Sequence, residues 1–182
     1  MTHATLTVPT PLPPDAGSWR EVEGGYELRF ERRLRHAPDK VWRAIATPEG
    51  IACWFAKPDM EMKAGGRYDL RFDHPCTDTW TEEDQARVRP NSILVYDPPR
   101  VFEHTFDGDH VVRWELNADG DGTWLVMTHH VPSKDVGSMT SYLGGWTQHL
   151  RGLEAAILGQ ATSWNWDDWR ALKATYDEQL KV

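Results

Sequence analysis

From Tyr26 the chain alternates apolar and charged positions: Tyr26, Leu28 and Phe30 are separated by Glu27, Arg29 and Glu31. That period of two predicts a strand with one buried face, ending near His36. The spacing then changes. Val41, Trp42 and Ile45 form one face of a helix with Pro38 near its first turn, and Thr47-Pro48 opens a short second helix over Glu49–Phe55. After the Gly65-Gly66 turn, Tyr68, Leu70 and Phe72 alternate with Arg67, Asp69, Arg71 and Asp73, again a strand with one buried face. Residues 74–86 are polar and predict an exposed, mobile loop. Strands follow at 87–96, 100–107, 110–118 and 123–131. The breaks are Asp97-Pro98-Pro99, Asp107-Gly108-Asp109 and Asp119-Gly120-Asp121-Gly122, connections short enough to force an antiparallel meander.

Beyond Ser138 the apolar residues are spaced by three and four: Met139, Tyr142, Leu143, Trp146, Leu150, Leu153 and Ile157. They predict a helix to about Leu158, with Gly159 at its end. Gly144 and Gly145 inside it each cost about 1 kcal/mol relative to Ala, for which close packing of this helix on the sheet would compensate. A last helix, 167–180, aligns Trp166, Trp169, Leu172, Tyr176 and Leu180. Residues 1–18 are Pro-rich without apolar periodicity and predict a disordered tail. The organisation expected is this tail, one α+β domain over 19–160, and a Trp-rich amphipathic helix over 161–182 packed on it.

Composition narrows the function. A chain of 182 residues with 40% hydrophobic and 26% charged residues suits one soluble domain. A net charge of −8 disfavours a nucleic-acid partner, whose phosphates require a basic surface. No apolar run suggests a membrane span or a secretory signal, so cytoplasm is the expected compartment. Cys53 and Cys76 are too few for a disulfide framework. Ten tryptophans must be buried or line something. No P-loop, dinucleotide glycine pattern or nucleophile elbow occurs, and the histidines lack metal-ligand spacing, so neither cofactor nor metal is expected.

The ordered set of pieces Ala37-Pro38-Asp39-Lys40-Val41-Trp42-Arg43-Ala44, Thr47-Pro48-Glu49-Gly50, Trp54-Phe55, Gly65-Gly66, Asp97-Pro98-Pro99, Thr105-Phe106, Gly122-Thr123, His129 and Gly145-Trp146 with Leu150 and Leu153 resembles the activator-of-Hsp90-ATPase homologue family. That family lies within the START-like (SRPBCC, Bet v 1-like) helix-grip superfamily. The resemblance spans about 30–158. Residues 74–86 look like an insertion, and the segment after Gly159 runs past the usual domain end. It implies a curved antiparallel sheet wrapped around a long C-terminal helix, with an apolar cavity between them. It implies no single activity, because members include co-chaperones, lipid carriers, resistance proteins and cyclases.

Alternation then places Leu70 and Phe72, Phe102, His104 and Phe106, Trp114, and Met127 and His129 on the inner face. Tyr142 and Trp146 face them from the helix, and Trp54 and Phe55 stand where helix-grip folds have a cavity entrance. These twelve residues are the candidate cavity lining. His104 and His129 sit in otherwise apolar rows: either they orient a ligand as a polar pair, or they are core histidines satisfied by local partners. The expected function is binding of a small hydrophobic or aromatic molecule by a monomer or homodimer, without catalysis. The alternatives are an Hsp90-type co-chaperone or stress-linked interaction module, and a cyclase- or hydrolase-like enzyme using the two histidines.

Overall fold

The computed structural model describes residues 10–180; residues 1–9, half of the expected tail, lie outside them. Its centre is a six-stranded antiparallel sheet in the order β1-β2-β8-β7-β6-β5. Here β1 is Ser18–Val22, β2 Gly25–Leu34, β5 Ile93–Asp97, β6 Val101–Phe106, β7 His110–Asp119 and β8 Gly122–Pro132. The turns of three and two residues that join the last three strands make the predicted meander. Registers such as Phe102 opposite Trp114 and Trp114 opposite Met127 put the expected residues on one face.

Helices α1 (Pro38–Ala46) and α2 (Pro48–Ala52) follow β2. Thr47 caps α2, its hydroxyl accepting the Gly50 N–H. A separate hairpin of β3 (Lys57–Met60) and β4 (Tyr68–Arg71) comes next, and bridges from Arg67 to Ser92 and Leu70 to Arg89 join it to the segment leading into β5. The long helix is α4 (Met139–Arg151), preceded by a 3-10 turn over Ser133–Ser138. It packs across the inner sheet face, with Leu143 fully and Leu150 almost fully buried and the Trp146 and Trp114 rings 5.7 Å apart at 79°.

The differences from the sequence reading have physical causes. β1 and β3 were not anticipated because their residues, SWREV and KPDM, are largely polar and suit edge strands. The long helix is interrupted at Gly152 and resumes as α5 (Leu153–Ile157), and the Thr162 side chain lies where a Cβ on Gly152 would stand. Residues 74–86 are not a simple open loop. They contain α3 (Glu82–Ala86), begun by a Thr81–Asp84 capping box, and their Trp80 packs against the core. The glycines of α4 serve a different neighbour from the one expected. The final helix α6 (Trp166–Gln179) crosses them, and a Cβ on Gly144 would lie 3.2 Å from the Lys173 backbone nitrogen.

The described part of the N-terminal segment is tethered. Arg151 forms a two-pronged pair with the Asp15 carboxylate at 2.7 and 3.1 Å. Gly17 N–H donates to the buried Tyr176 hydroxyl at 2.8 Å, which donates to Thr147 Oγ1 at 2.8 Å, which donates to the Leu143 carbonyl at 2.7 Å. This chain joins the N-terminal segment, α6 and α4. Tyr176→Phe should therefore cost about 1–3 kcal/mol by leaving the Gly17 N–H unpaired, measured by urea unfolding. An unchanged midpoint would show that water replaces the hydroxyl.

Candidate functional site

Where α4 leaves the sheet, an aromatic-walled cleft of about 290 Å³ opens between the sheet, α4 and two long connecting segments. Its inner wall is Phe55, Phe72, Phe106, Tyr142 and Trp146. Phe55 stacks on Trp146 at 4.9 Å and 19°, and Phe72 meets Phe55 edge-on at 5.2 Å. The outer wall joins residues distant in sequence. His74, Trp80 and Arg89 come from around α3, and Trp164, Trp166 and Trp169 from the entry to α6.

The two outer segments hold each other. His74 stacks on Trp164 at 4.1 Å and 6°, and Trp80 lies 5.6 Å from Trp166. Trp166 Nε1–H donates to the Pro75 carbonyl at 2.6 Å, while Trp169 Nε1–H donates to the Ser141 carbonyl of α4 at 3.2 Å. Gln85 in α3 donates to the His74 carbonyl at 2.7 Å, which fixes the start of the segment. The Arg89 guanidinium lies 5.2 Å from the centres of both the Phe72 and Trp80 rings.

The polar groups of this wall are incompletely paired. Both ring nitrogens of His74 and the indole nitrogens of Trp80 and Trp164 are buried without hydrogen-bond partners. Leaving such a group unpaired costs about 1–3 kcal/mol, so several in one wall call for an explanation. Burial, helped by the neighbouring His149, pushes the His74 pKa down to about 3, so its ring is neutral at pH 7. Arg89 is lowered by burial and by nearby Arg87, and its guanidinium donates to the Arg87 carbonyl at 3.3 Å. Asp107, also in the cleft, accepts the Tyr142 O–H at 2.7 Å.

The two histidines singled out from the sequence belong to the core behind the cleft. The Thr105 carbonyl can only accept, so His104 Nδ1 carries the proton at 2.8 Å and Nε2 accepts the Trp114 N–H at 3.4 Å. Likewise Trp146 Nε1–H donates to His129 Nδ1 at 3.0 Å, which makes His129 Nε2–H the donor to His110 Nδ1 at 3.0 Å. His110 Nε2–H then reaches Asp135 at 3.1 Å. Among the described residues, Asp109, His110 and Asp135 could offer metal-ligand atoms within 4.8 Å of one another. Both His110 nitrogens are engaged in the chain above, and the Lys134 ammonium already lies 3.0 Å from Asp109 and 3.8 Å from Asp135. This cluster therefore reads as an ion-pair network.

Comparison with known proteins places this architecture. The family model described as activator of Hsp90 ATPase homolog 1-like protein matches residues 35–157. The chain belongs to this family. Among solved structures, it is similar to a conserved protein of unknown function from Enterococcus faecalis, at 16% identity and a TM-score of 0.73, covering 91% of this chain and 90% of that one. It is also similar to CalU16 from Micromonospora echinospora (21% identity, TM-score 0.67, 93% and 98% covered). A protein from Bordetella parapertussis matches at 26% identity and a TM-score of 0.67, with 97% and 96% covered. No curated protein matches the chain. As the helix-grip, SRPBCC-type architecture requires, the sheet wraps the long helix; no helix among the described residues is long and apolar enough to cross a membrane.

Of the sequence candidates in this activator-homolog chain, Phe55, Phe72, Phe106, Tyr142 and Trp146 line the cleft. Trp54 borders an adjoining depression with His149 and Trp164, and its indole N–H donates to the Ala44 carbonyl at 3.0 Å. Leu70, Phe102, His104, Trp114, Met127 and His129 are fully or almost fully buried and fill the core. Sequence reasoning missed His74, Arg89, Asp107 and His149 as cleft residues. The one available signal was tryptophan in two segments outside the regular pattern, at Trp80 and from Trp164 onward. A larger groove of about 420 Å³ lies elsewhere, along Lys40, Arg43, Thr47 and Ile157, and has no aromatic lining.

The buried imidazoles make a stability prediction. Burial lowers His104 and His149 to about 4 and His74 to about 3, and pushes His129 well below its ordinary value. Below pH about 6.5 the unfolded chain takes up protons that the folded chain refuses, so stability should be level above that pH and fall towards pH 4. The slope is at most about 1.4 kcal/mol per pH unit for each group. Urea unfolding between pH 7.5 and 4.5 checks this, and a level profile would mean that these rings open to solvent.

Proposed function

We propose that this chain binds a small, flat, largely apolar molecule in the cleft between α4 and the two tryptophan-bearing segments. The observation that carries the reading is the aromatic cleft itself, walled on both sides by ring faces and bordered by polar groups without partners. Aromatic surface of this kind gains by stacking against another flat ring, beyond the gain from burial alone. A co-chaperone role has the family description in its support, whereas the cleft favours ligand binding. Acid–base catalysis by His104 and His129 lacks support, since both nitrogens of each ring are engaged and neither residue lines the cleft.

The neutral fluorophore N-phenyl-1-naphthylamine tests this reading. It should brighten on titration into the full chain, and Trp80→Ala and Trp164→Ala should each weaken its binding by about tenfold, the equivalent of one lost aromatic pair. Equal binding by both folded variants and the parent would place the probe elsewhere and overturn the assignment.

A further inference from the structure

We infer that the molecule the cleft takes is a planar aromatic carboxylate, its ring between the tryptophans and its anion on Arg89; this deepens the binding reading above and rests on it.

The polar groups of the outer wall are mostly donors. Trp80 and Trp164 each keep an unpaired indole N–H, and an indole nitrogen donates only. His74 is 9% exposed with both ring nitrogens unpaired, and its neutral ring carries one N–H donor and one acceptor nitrogen. Arg89 adds a guanidinium with five donors. One of its nitrogens donates to the Arg87 carbonyl, and its contacts with the Phe72 and Trp80 faces consume none of the others. The unpaired nitrogens of His74, Trp80 and Trp164 are buried within the wall, so the donor that the cleft itself presents is the Arg89 guanidinium. Its acidic member, Asp107, accepts from Tyr142 and, like Asp84, acts on Arg89 through space, but among the described residues no carboxylate forms an ion pair with Arg89.

A group that only accepts suits the Arg89 guanidinium best. A carboxylate has about four lone-pair directions and matches the guanidinium fork with two parallel bonds. An ammonium or amide would bring further donors to a place that already has too many. The chain's net charge of −8 repels anions at long range, so selection of a carboxylate must come from this local cation. The rest of the cleft prescribes the body of the ligand. Phe55, Trp146 and Trp166 present ring faces and edges, which favour a flat fused ring over a flexible aliphatic tail.

Calorimetric titration of the full chain with 2-naphthoate, 2-naphthamide and octanoate at pH 7 separates the parts of this inference. The acid should bind at least about tenfold more tightly than its amide, the usual advantage of a charge-assisted pair, and more tightly than octanoate. Arg89→Gln should bring the affinity for the acid down to that for the amide, and Arg89→Lys should retain part of the preference. Equal affinity for acid and amide in the parent overturns the carboxylate assignment and leaves aromatic binding standing. Octanoate binding more tightly than naphthoate overturns the aromatic part. If neither naphthyl compound binds, both this inference and the binding reading fall. The acid-to-amide ratio in the unaltered chain decides the matter even if Arg89→Gln does not fold.

Discussion

The seating of Trp146 is the contact on which both the core and the cleft depend. One part of its ring stacks on Phe55 in the cleft wall, another meets Trp114 in the sheet, and its N–H ends on His129. A buried indole N–H is costly without an acceptor, and His129 provides one by holding its own proton on the opposite nitrogen. That choice propagates through His110 to Asp135 at the surface. The polar chain threads an apolar core without leaving a member unpaired, the condition under which buried polar groups specify a structure rather than weaken it.

The cleft lies just beyond this network and is built on a different plan. Its floor is core and belongs to the helix-grip fold. Its outer wall comes from the segment around α3 and from the start of α6, which lies after the residues matched by the family. Those two segments hold each other through the His74–Trp164 stack and the Trp166–Pro75 hydrogen bond. The glycine pair in α4 permits this arrangement, because α6 needs a close approach there to bring its tryptophans over the opening.

Two groups of histidines thus serve two ends. His104 and His129 are paired, neutral and behind the wall, so they stabilise the scaffold and have no free nitrogen for chemistry. His74 is equally neutral but unpaired, beside Arg89 and two unpaired indoles. Each of these groups left without a partner in a well-packed wall costs about 1–3 kcal/mol.

The sequence alone determined the elements with strong periodicity and the face that each would bury. Alternation in Phe102-Glu103-His104-Thr105-Phe106 admits one buried side, and the three- and four-residue spacing along 139–157 admits one helical face, so strand register and the helix seam followed from local physics. It also placed Phe55, Phe72, Phe106, Tyr142 and Trp146 together on the inner side of the domain. What it did not determine was where the core ends and the cleft begins. His104 and Phe106 occupy the same face of one strand, yet only the folded chain puts Trp114 against the first and open space beside the second. Nor could it pair His74 with Trp164, Trp80 with Trp166, or Arg89 with Phe72 and Trp80. Those contacts carry no period, because irregular segments meet through long-range packing, and only tertiary structure decides which side chains they bring to one site.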